Sequence, residues 1–220
     1  MIPINTSGYF ITGSDTDVGK TYVTCQIIRQ LHQFNLKLET RKPAESGCEL
    51  GESGEMVPAD GLKLQAANQH LEGIDRITPL KFKAALAPHR AARLEDRQLL
   101  VKHLLNACSR DDCRSTLIVE GAGGFLSPIA DDGLNADLAA VLQLPAIVVI
   151  NDKIGAVNQA LLTVEAIESR GLVIAAIILN QVEKNIIPNM NNLEDLQSHC
   201  SHPVFCCDYQ KALPLIFETS

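Results

Sequence analysis

Lys20 and Thr21 close a run of small and acidic residues, GSDTDVGKT (13–21), set between an apolar stretch and an amphipathic one. A lysine beside a hydroxyl, at the end of a glycine-containing turn, suits a polyphosphate. Glycines let backbone N–H groups face an anion without a Cβ in the way. The lysine ammonium reaches the β- and γ-phosphates, and the threonine hydroxyl can ligate Mg²⁺. The spelling departs from the common G-x-x-x-x-G-K-[ST] pattern. Five residues rather than four separate Gly13 from Gly19, and Ser14 stands where the first glycine is expected. A longer loop carrying Asp15, Thr16 and Asp17 has room to touch a second substrate beyond the phosphates.

Other segments carry chemistry. RKPAESG (41–47) presents Lys42 beside Pro43, which restricts the backbone, and Ser46 beside Gly47. VEGAGGFLSP (119–128) ends an apolar run on Glu120 and then turns on glycines. ADGLKLQ (59–65) places Asp60 at a helix start, and KIGAVNQALLTVEAIESRGL (153–172) opens another helix. Ligands of open α/β sheets gather outside the carboxyl ends of the strands. Thr21, Asp60 and Glu120 are hard oxygen ligands of the kind Mg²⁺ takes, and this placement lets them converge on one ion. Each also has a plainer reading: Asp60 as a helix N-cap, Lys42 as a solvated surface lysine, Ser46 as a turn residue.

The elements that must position these groups alternate. Gly8–Thr12, Leu38–Arg41, Thr116–Glu120, Ala146–Asn151 and Val173–Asn180 read as strands. Thr21–Phe34 and Ala156–Arg170 read as helices, the second with Val157, Leu161, Val164 and Ile167 in register and Gly171 placed to end it. Strands that are apolar throughout are buried on both faces. The expectation is therefore an α/β fold, one domain over 1–220, with a mostly parallel sheet, helices on both faces and a P-loop NTPase-like arrangement. Pro43 to Ala59, rich in Gly, Glu and Ser, reads as a mobile loop.

A net charge of −7 argues against a basic nucleic-acid-binding surface. No apolar run approaches the ~18 residues of a membrane span, and no stretch reads as a secretory leader. Seven scattered cysteines, an odd number in a chain long enough to build a core, point to a reducing cytoplasm.

Taken together, GSDTDVGKT, KPAESG, VEGAGG and KIGAVNQALLT resemble the dethiobiotin synthetases from about Gly8 to about Asn180. That family's loop has the same extra residue. The resemblance implies ring closure on 7,8-diaminopelargonate (7,8-diaminononanoate) with CO₂, ATP and Mg²⁺, through a carbamate and a carbamic-phosphoric mixed anhydride. It implies that Lys42, Lys20, Thr16 and Ser46 are catalytic. Asp17, Val18, Gly19, Lys20, Thr21, Tyr22, Glu120, Gly123 and Asn180 would hold the nucleotide. Thr16, Asp17, Lys42 and Ser46 would hold the substrate, together with Gly155, Val157 and Asn158, which receive its tail carboxylate from a partner subunit. Such a composite site implies a homodimer. Thr21, Asp60 and Glu120 would be the metal ligands. A partition-type ATPase is the nearest rival, but it carries an extra lysine early in the loop, and positions 14 to 18 hold none.

The last forty residues depart from the family pattern. Where the family's G-x-[IV]-P turn cradles the base, this chain reads SHPVFCCDYQ (201–210), without the glycine. His199, Cys200, His202, Cys206 and Cys207 also cluster there, without the regular spacing of structural zinc sites.

Overall fold

A computed structural model describes residues 1–5, 7–184 and 187–219. Six strands form one sheet: β1 (Gly8–Gly13), β2 (Leu38–Arg41), β3 (Thr116–Glu120), β4 (Ala146–Asn151), β5 (Ile174–Asn180) and β6 (Val204–Cys207). All neighbouring pairs are parallel, in the order β6-β5-β4-β1-β3-β2. Except for β2, whose Glu39, Thr40 and Arg41 are polar and buried, the strands read as largely apolar runs because successive side chains enter different cores. Tyr9, Ile11, Ile118, Ile147, Val149 and Ile178 face one side. Phe10, Leu117, Val119, Val148, Ile150 and Leu179 face the other. This two-residue period with both faces covered is the expected signature of a buried parallel sheet.

On the first face lies α1 (Lys20–His32), which buries Val23, Ile27, Ile28 and Leu31 as one stripe. Each such aliphatic side chain contributes about 1.5–3 kcal/mol by leaving water. Arg29 and His32 in the last turn complement the helix dipole. Beside it packs α2 (Ala59–Ala67), through Leu64 and Ala67. The opposite face is covered by α3 (Asn135–Leu142), α4 (Ala156–Glu168) and α5 (Asn192–His199). Gly171 adopts φ +68° just past α4, as a helix-terminating glycine should.

Both chain ends are tied down. Ile2–Pro3 pairs in parallel with Phe217–Glu218. Gln30 of α1 donates to Leu213 O and Pro214 O and accepts from Ile216 N–H. The C-terminal segment is thereby strapped across α1, and Tyr22 OH donates to Lys211 O at 2.7 Å.

Several boundaries differ from the sequence reading by one or two residues, as helix and strand ends do: α1 runs 20–32, α4 156–168, β5 174–180. The loop expected over 43–59 is replaced by paired structure. Ala44–Ser46 runs parallel with Leu80–Phe82, and Glu49–Leu50 pairs antiparallel with Met56–Val57. Strands of two or three residues are too short to show a period, and the partner of Ala44–Ser46 lies outside the segment.

Candidate active site

The carboxyl ends of β1, β3 and β2 lie side by side because the strands pair in parallel, with Ile11 opposite Glu120 and Arg41 opposite Val119. Gly13 ends β1, Glu120 ends β3 and Lys42 directly follows β2. Three segments remote in sequence therefore emerge together at the point where the chain switches direction across the sheet.

The loop after β1 is held from several sides. Ser14 N–H donates to Val149 O at 3.2 Å, and Gly13 O accepts from Phe125 N–H at 2.9 Å. Gly19 has φ +86°, and a Cβ there would lie 2.1 Å from Asn180 Nδ2, so both backbone and packing demand glycine. The same Asn180 amide donates to Val18 O at 2.9 Å and closes the loop from β5. No side chain caps α1, which leaves its first-turn N–H groups for another acceptor.

Lys42 is the hub of the charged groups. Its Nζ donates to Glu120 Oε1 at 2.7 Å and stands 3.6 Å from Asp60 Oδ2. Its backbone N–H is anchored on Ile77 O at 2.8 Å. Thr21 Oγ1 donates to the same Glu120 Oε1 at 2.8 Å. Glu120 is fully buried, and its other oxygen, Oε2, has no hydrogen-bond partner. A bare, buried carboxylate oxygen is costly. With the Thr21 hydroxyl and the Asp60 carboxylate beside it, the chemistry fits a small hard cation such as Mg²⁺.

Lys20 Nζ donates to Asp15 O at 2.7 Å. Burial, then the nearby Lys42 charge, lowers its pKa to about 8. Lys42 is pulled the other way. Burial alone would lower it, but Glu120 and Asp60 outweigh burial and hold it above the ordinary lysine value. Burial would likewise raise the Asp60 carboxyl, yet Lys42 and Lys63 keep it below its usual value.

These groups border a cavity of about 770 Å³. One wall carries Thr16, Asp17, Lys20, Thr21, Lys42 and Ser46; Asp60, Tyr22 and Gly123 also reach it. Ala85–Pro88 and Pro128 add apolar lining. The expected residues Val18, Glu120 and Asn180 lie behind this surface, buried. Gly155, Val157 and Asn158 do not line the cavity. They form the uncapped start of α4, whose Gln159 Oε1 accepts from Ser14 Oγ at 3.4 Å.

Sequence reasoning passed over three features. Glu45, inside KPAESG, accepts from both Asp60 N–H and Gly61 N–H and borders the cavity. Asp60 is thus not the N-cap of α2; Pro58 holds that position. Asn135 Nδ2 donates to Ala122 O and Gly124 O, which braces the glycine turn after Glu120. The apolar lining ending at Pro88 left one usable sign, a proline at the first position of a helix (Pro88–Arg93).

The His199–Cys207 cluster does not gather. His202 Nε2 pairs with Glu168 Oε1 at 2.9 Å, and Cys200 and Cys206 pack on the core. Among the described residues the one set of three His, Cys, Asp or Glu side chains close enough to share an ion is Glu39, Glu72 and Asp111. Arg41 occupies it, bridging Glu39 at 2.6 Å and Glu72.

A parallel sheet, a glycine loop feeding an uncapped helix and a buried lysine at its start define a nucleotide-binding protein of the P-loop class. A family profile described as "AAA domain" matches residues 7–208. The ATP-dependent dethiobiotin synthetase of Ruthia magnifica subsp. Calyptogena magnifica is 42% identical over 182 residues, 83% of each chain. That of Rhodopirellula baltica is 33% identical over 94% of this chain and 86% of its own. The chain belongs to the ATP-dependent dethiobiotin synthetase family. Solved structures share the fold at low identity: a ParA family ATPase from Chlorobium tepidum (TM-score 0.53, 12% identity, 93% of this chain and 85% of that one). The MinC:MinD cell division protein complex of Aquifex aeolicus contains another (0.53, 15%, 93% and 82%). No described helix is long and apolar enough to cross a membrane.

Proposed function

We propose that this chain closes the ureido ring of dethiobiotin from 7,8-diaminopelargonate and CO₂, using ATP with Mg²⁺ and releasing ADP and phosphate, as a step of biotin biosynthesis. The observation that carries the reading is the convergence of Lys42 and Thr21 on one oxygen of Glu120, whose other oxygen is left bare. The family relatives supply the substrate class.

In this reading CO₂ adds to one neutral amine, whose nitrogen releases a proton to solvent, giving a carbamate. A carbamate oxygen attacks the γ-phosphorus and ADP departs. The second amine attacks the carbonyl carbon of the resulting mixed anhydride, and the C–O bond breaks with phosphate taking its electron pair. The attacking nitrogen gives up its proton as the C–N bond forms. Both amines sit on one molecule, so orientation counts most; good positioning can contribute about 7–11 kcal/mol.

Each residue then has a task. Lys20 and Lys42 flank the γ-phosphoryl group and the carbamate, and their ammonium charges offset the charge that develops. Thr16 and Ser46 hydrogen-bond the carbamate or phosphate from the same wall. Asp17 faces the substrate amine. Thr21, Asp60 and Glu120 hold Mg²⁺, which when bound neutralises phosphate charge. Gly124 lets the turn after β3 approach the loop after β1; a Cβ there would lie 2.8 Å from Ser14 O. Asn180 lies on the base side. Gly155, Val157 and Asn158 serve the tail carboxylate of substrate bound to a partner subunit, in a homodimer. Their lying outside the cavity of their own chain, at an uncapped helix start, supports that assignment.

The test is direct. Purified protein is incubated with 7,8-diaminopelargonate, bicarbonate, Mg²⁺ and ATP, and dethiobiotin is sought by mass. Its absence under conditions where the protein is folded and binds ATP overturns the reading.

A further inference from the structure

The helix that carries Asp60 begins without a cap of its own. Its N-cap residue is Pro58, which has no side-chain acceptor. The N–H groups of Asp60 and Gly61 are instead met by Glu45, one oxygen to each, both at 2.9 Å. A carboxylate there satisfies two orphan donors and complements the helix dipole. Glu45 belongs to a different segment, the strand Ala44–Ser46, and pairs in register with Lys81. This strand is separated from Lys42 by Pro43 alone. The cap therefore fastens the segment of Lys42 and Ser46 to the turn that bears Asp60.

The turn has little freedom to settle elsewhere. Gly61 is so close to its neighbours that a Cβ would lie 2.3 Å from Thr78 Oγ1. Glu45 is itself buried, with 7% of its surface exposed, so water competes poorly for its oxygens. Both oxygens accept from backbone N–H groups of the turn that bears Asp60, and the Lys42 charge lies near enough to act on the carboxylate too.

We propose that Glu45 is a positioning residue: by holding the first turn of α2 it sets where the Asp60 carboxylate stands against Lys42 and Glu120, and so how tightly the site holds a divalent cation. This rests on Asp60 being a metal ligand, as read above.

The probe is Mn²⁺, titrated by electron paramagnetic resonance into protein saturated with a non-hydrolysable ATP analogue. Glu45→Gln keeps the shape but loses the charge and one acceptor; Glu45→Ala loses both acceptors. Removing an outer partner of a metal ligand typically weakens the metal about 10- to 100-fold. We expect Glu45→Gln to weaken Mn²⁺ about 10-fold by that rule, and Glu45→Ala more. Affinity for the analogue without metal should stay within about twofold, since Glu45 takes no part in holding phosphate. Asn191→Ala is the control for stability alone. It removes the cap of α5, which accepts from Glu194 N–H at 3.3 Å, and it should lower Tm without moving Mn²⁺ affinity. If Glu45→Ala fails to fold, Glu45→Gln decides. Wild-type Mn²⁺ affinity in Glu45→Gln, with Asp60→Ala clearly weakened, overturns the positioning role alone. Wild-type affinity in Asp60→Ala removes the metal reading and this proposal with it.

Discussion

Lys42 and Thr21 donate to the same oxygen of Glu120, at 2.7 and 2.8 Å, from segments 78 and 99 residues away along the chain. The shared acceptor is the last residue of a central strand, so it is held by the sheet itself. The two donors arrive from the neighbouring strands on either side. This arrangement turns one carboxylate into a reference point for the loop after β1 and the segment after β2.

Lys42→Met should leave nucleotide binding within a few-fold and lower ring closure by at least a hundredfold. A hydrogen bond to a charged group contributes about 1.5–3 kcal/mol, and the developing charge makes the loss larger. Breaking a buried ion pair from one side also costs about 3–5 kcal/mol of stability. Turnover, ATP affinity and Tm measured together separate the effects; near-normal turnover would remove Lys42 from the reaction.

ATP affinity should fall as pH rises through about 8, where free Lys20 loses its proton. A phosphate beside it favours the charged form, so binding above that pH takes up a proton. Calorimetry in buffers of different ionisation enthalpy reads that proton directly. The stability effect has the opposite sense. Because the folded pKa lies below the unfolded value, the cost of burying the charge is full below pH 8 and fades between 8 and 10.5. Lys20→Arg should flatten both profiles, since arginine stays charged.

Gly19→Ala should abolish nucleotide binding and cost about 1–3 kcal/mol, the usual range for a forced left-handed residue. The new methyl would also drive Asn180 off Val18 O. The paired variant Asn180→Ala makes room and should recover part of the stability in a thermal melt. Equal melting of the single and double variants would show that backbone strain alone matters.

Nucleotide choice should be loose. One Asn180 amide N–H is given to Val18 O, Gln181 N–H to Cys207 O and Tyr209 N–H to Gln181 Oε1, which leaves the second Asn180 N–H and its Oδ1 to meet a base. Few groups remain to read a base, and one neutral hydrogen bond contributes only about 0.5–1.5 kcal/mol. CTP and GTP should therefore support measurable ring closure. An ATP preference above about a thousandfold in kcat/KM, more than such bonds supply, would mean that residues 206–211 build a complete adenine pocket.

Tail recognition should be shared between subunits. Ile154, just before α4, is 74% exposed and Leu162, midway along it, 59%, apolar surface suited to a partner. Mixing Lys20→Ala protein with Asn158→Asp protein should restore activity, because one heterodimer site combines an intact loop with an intact helix start. No recovery in confirmed heterodimers would count against the composite site.

What the sequence determined by itself was local. The apolar runs set β1, β3, β4 and β5, the 3.6-residue stripes set α1 and α4, and GSDTDVGKT between β1 and α1 marked the phosphate loop despite its extra residue. Those signals depend on neighbours in the chain, so they survive without coordinates. Tertiary structure decided what depends on strand order. Only the placement of β3 between β1 and β2 brings Glu120 against both Lys42 and Thr21. Only the pairing of Ala44–Ser46 with Leu80–Phe82 turns an apparent loop into a strand and aims Glu45 at the start of α2. Hydrogen bonds of that kind join residues tens of positions apart, and no period or composition in either segment records its partner.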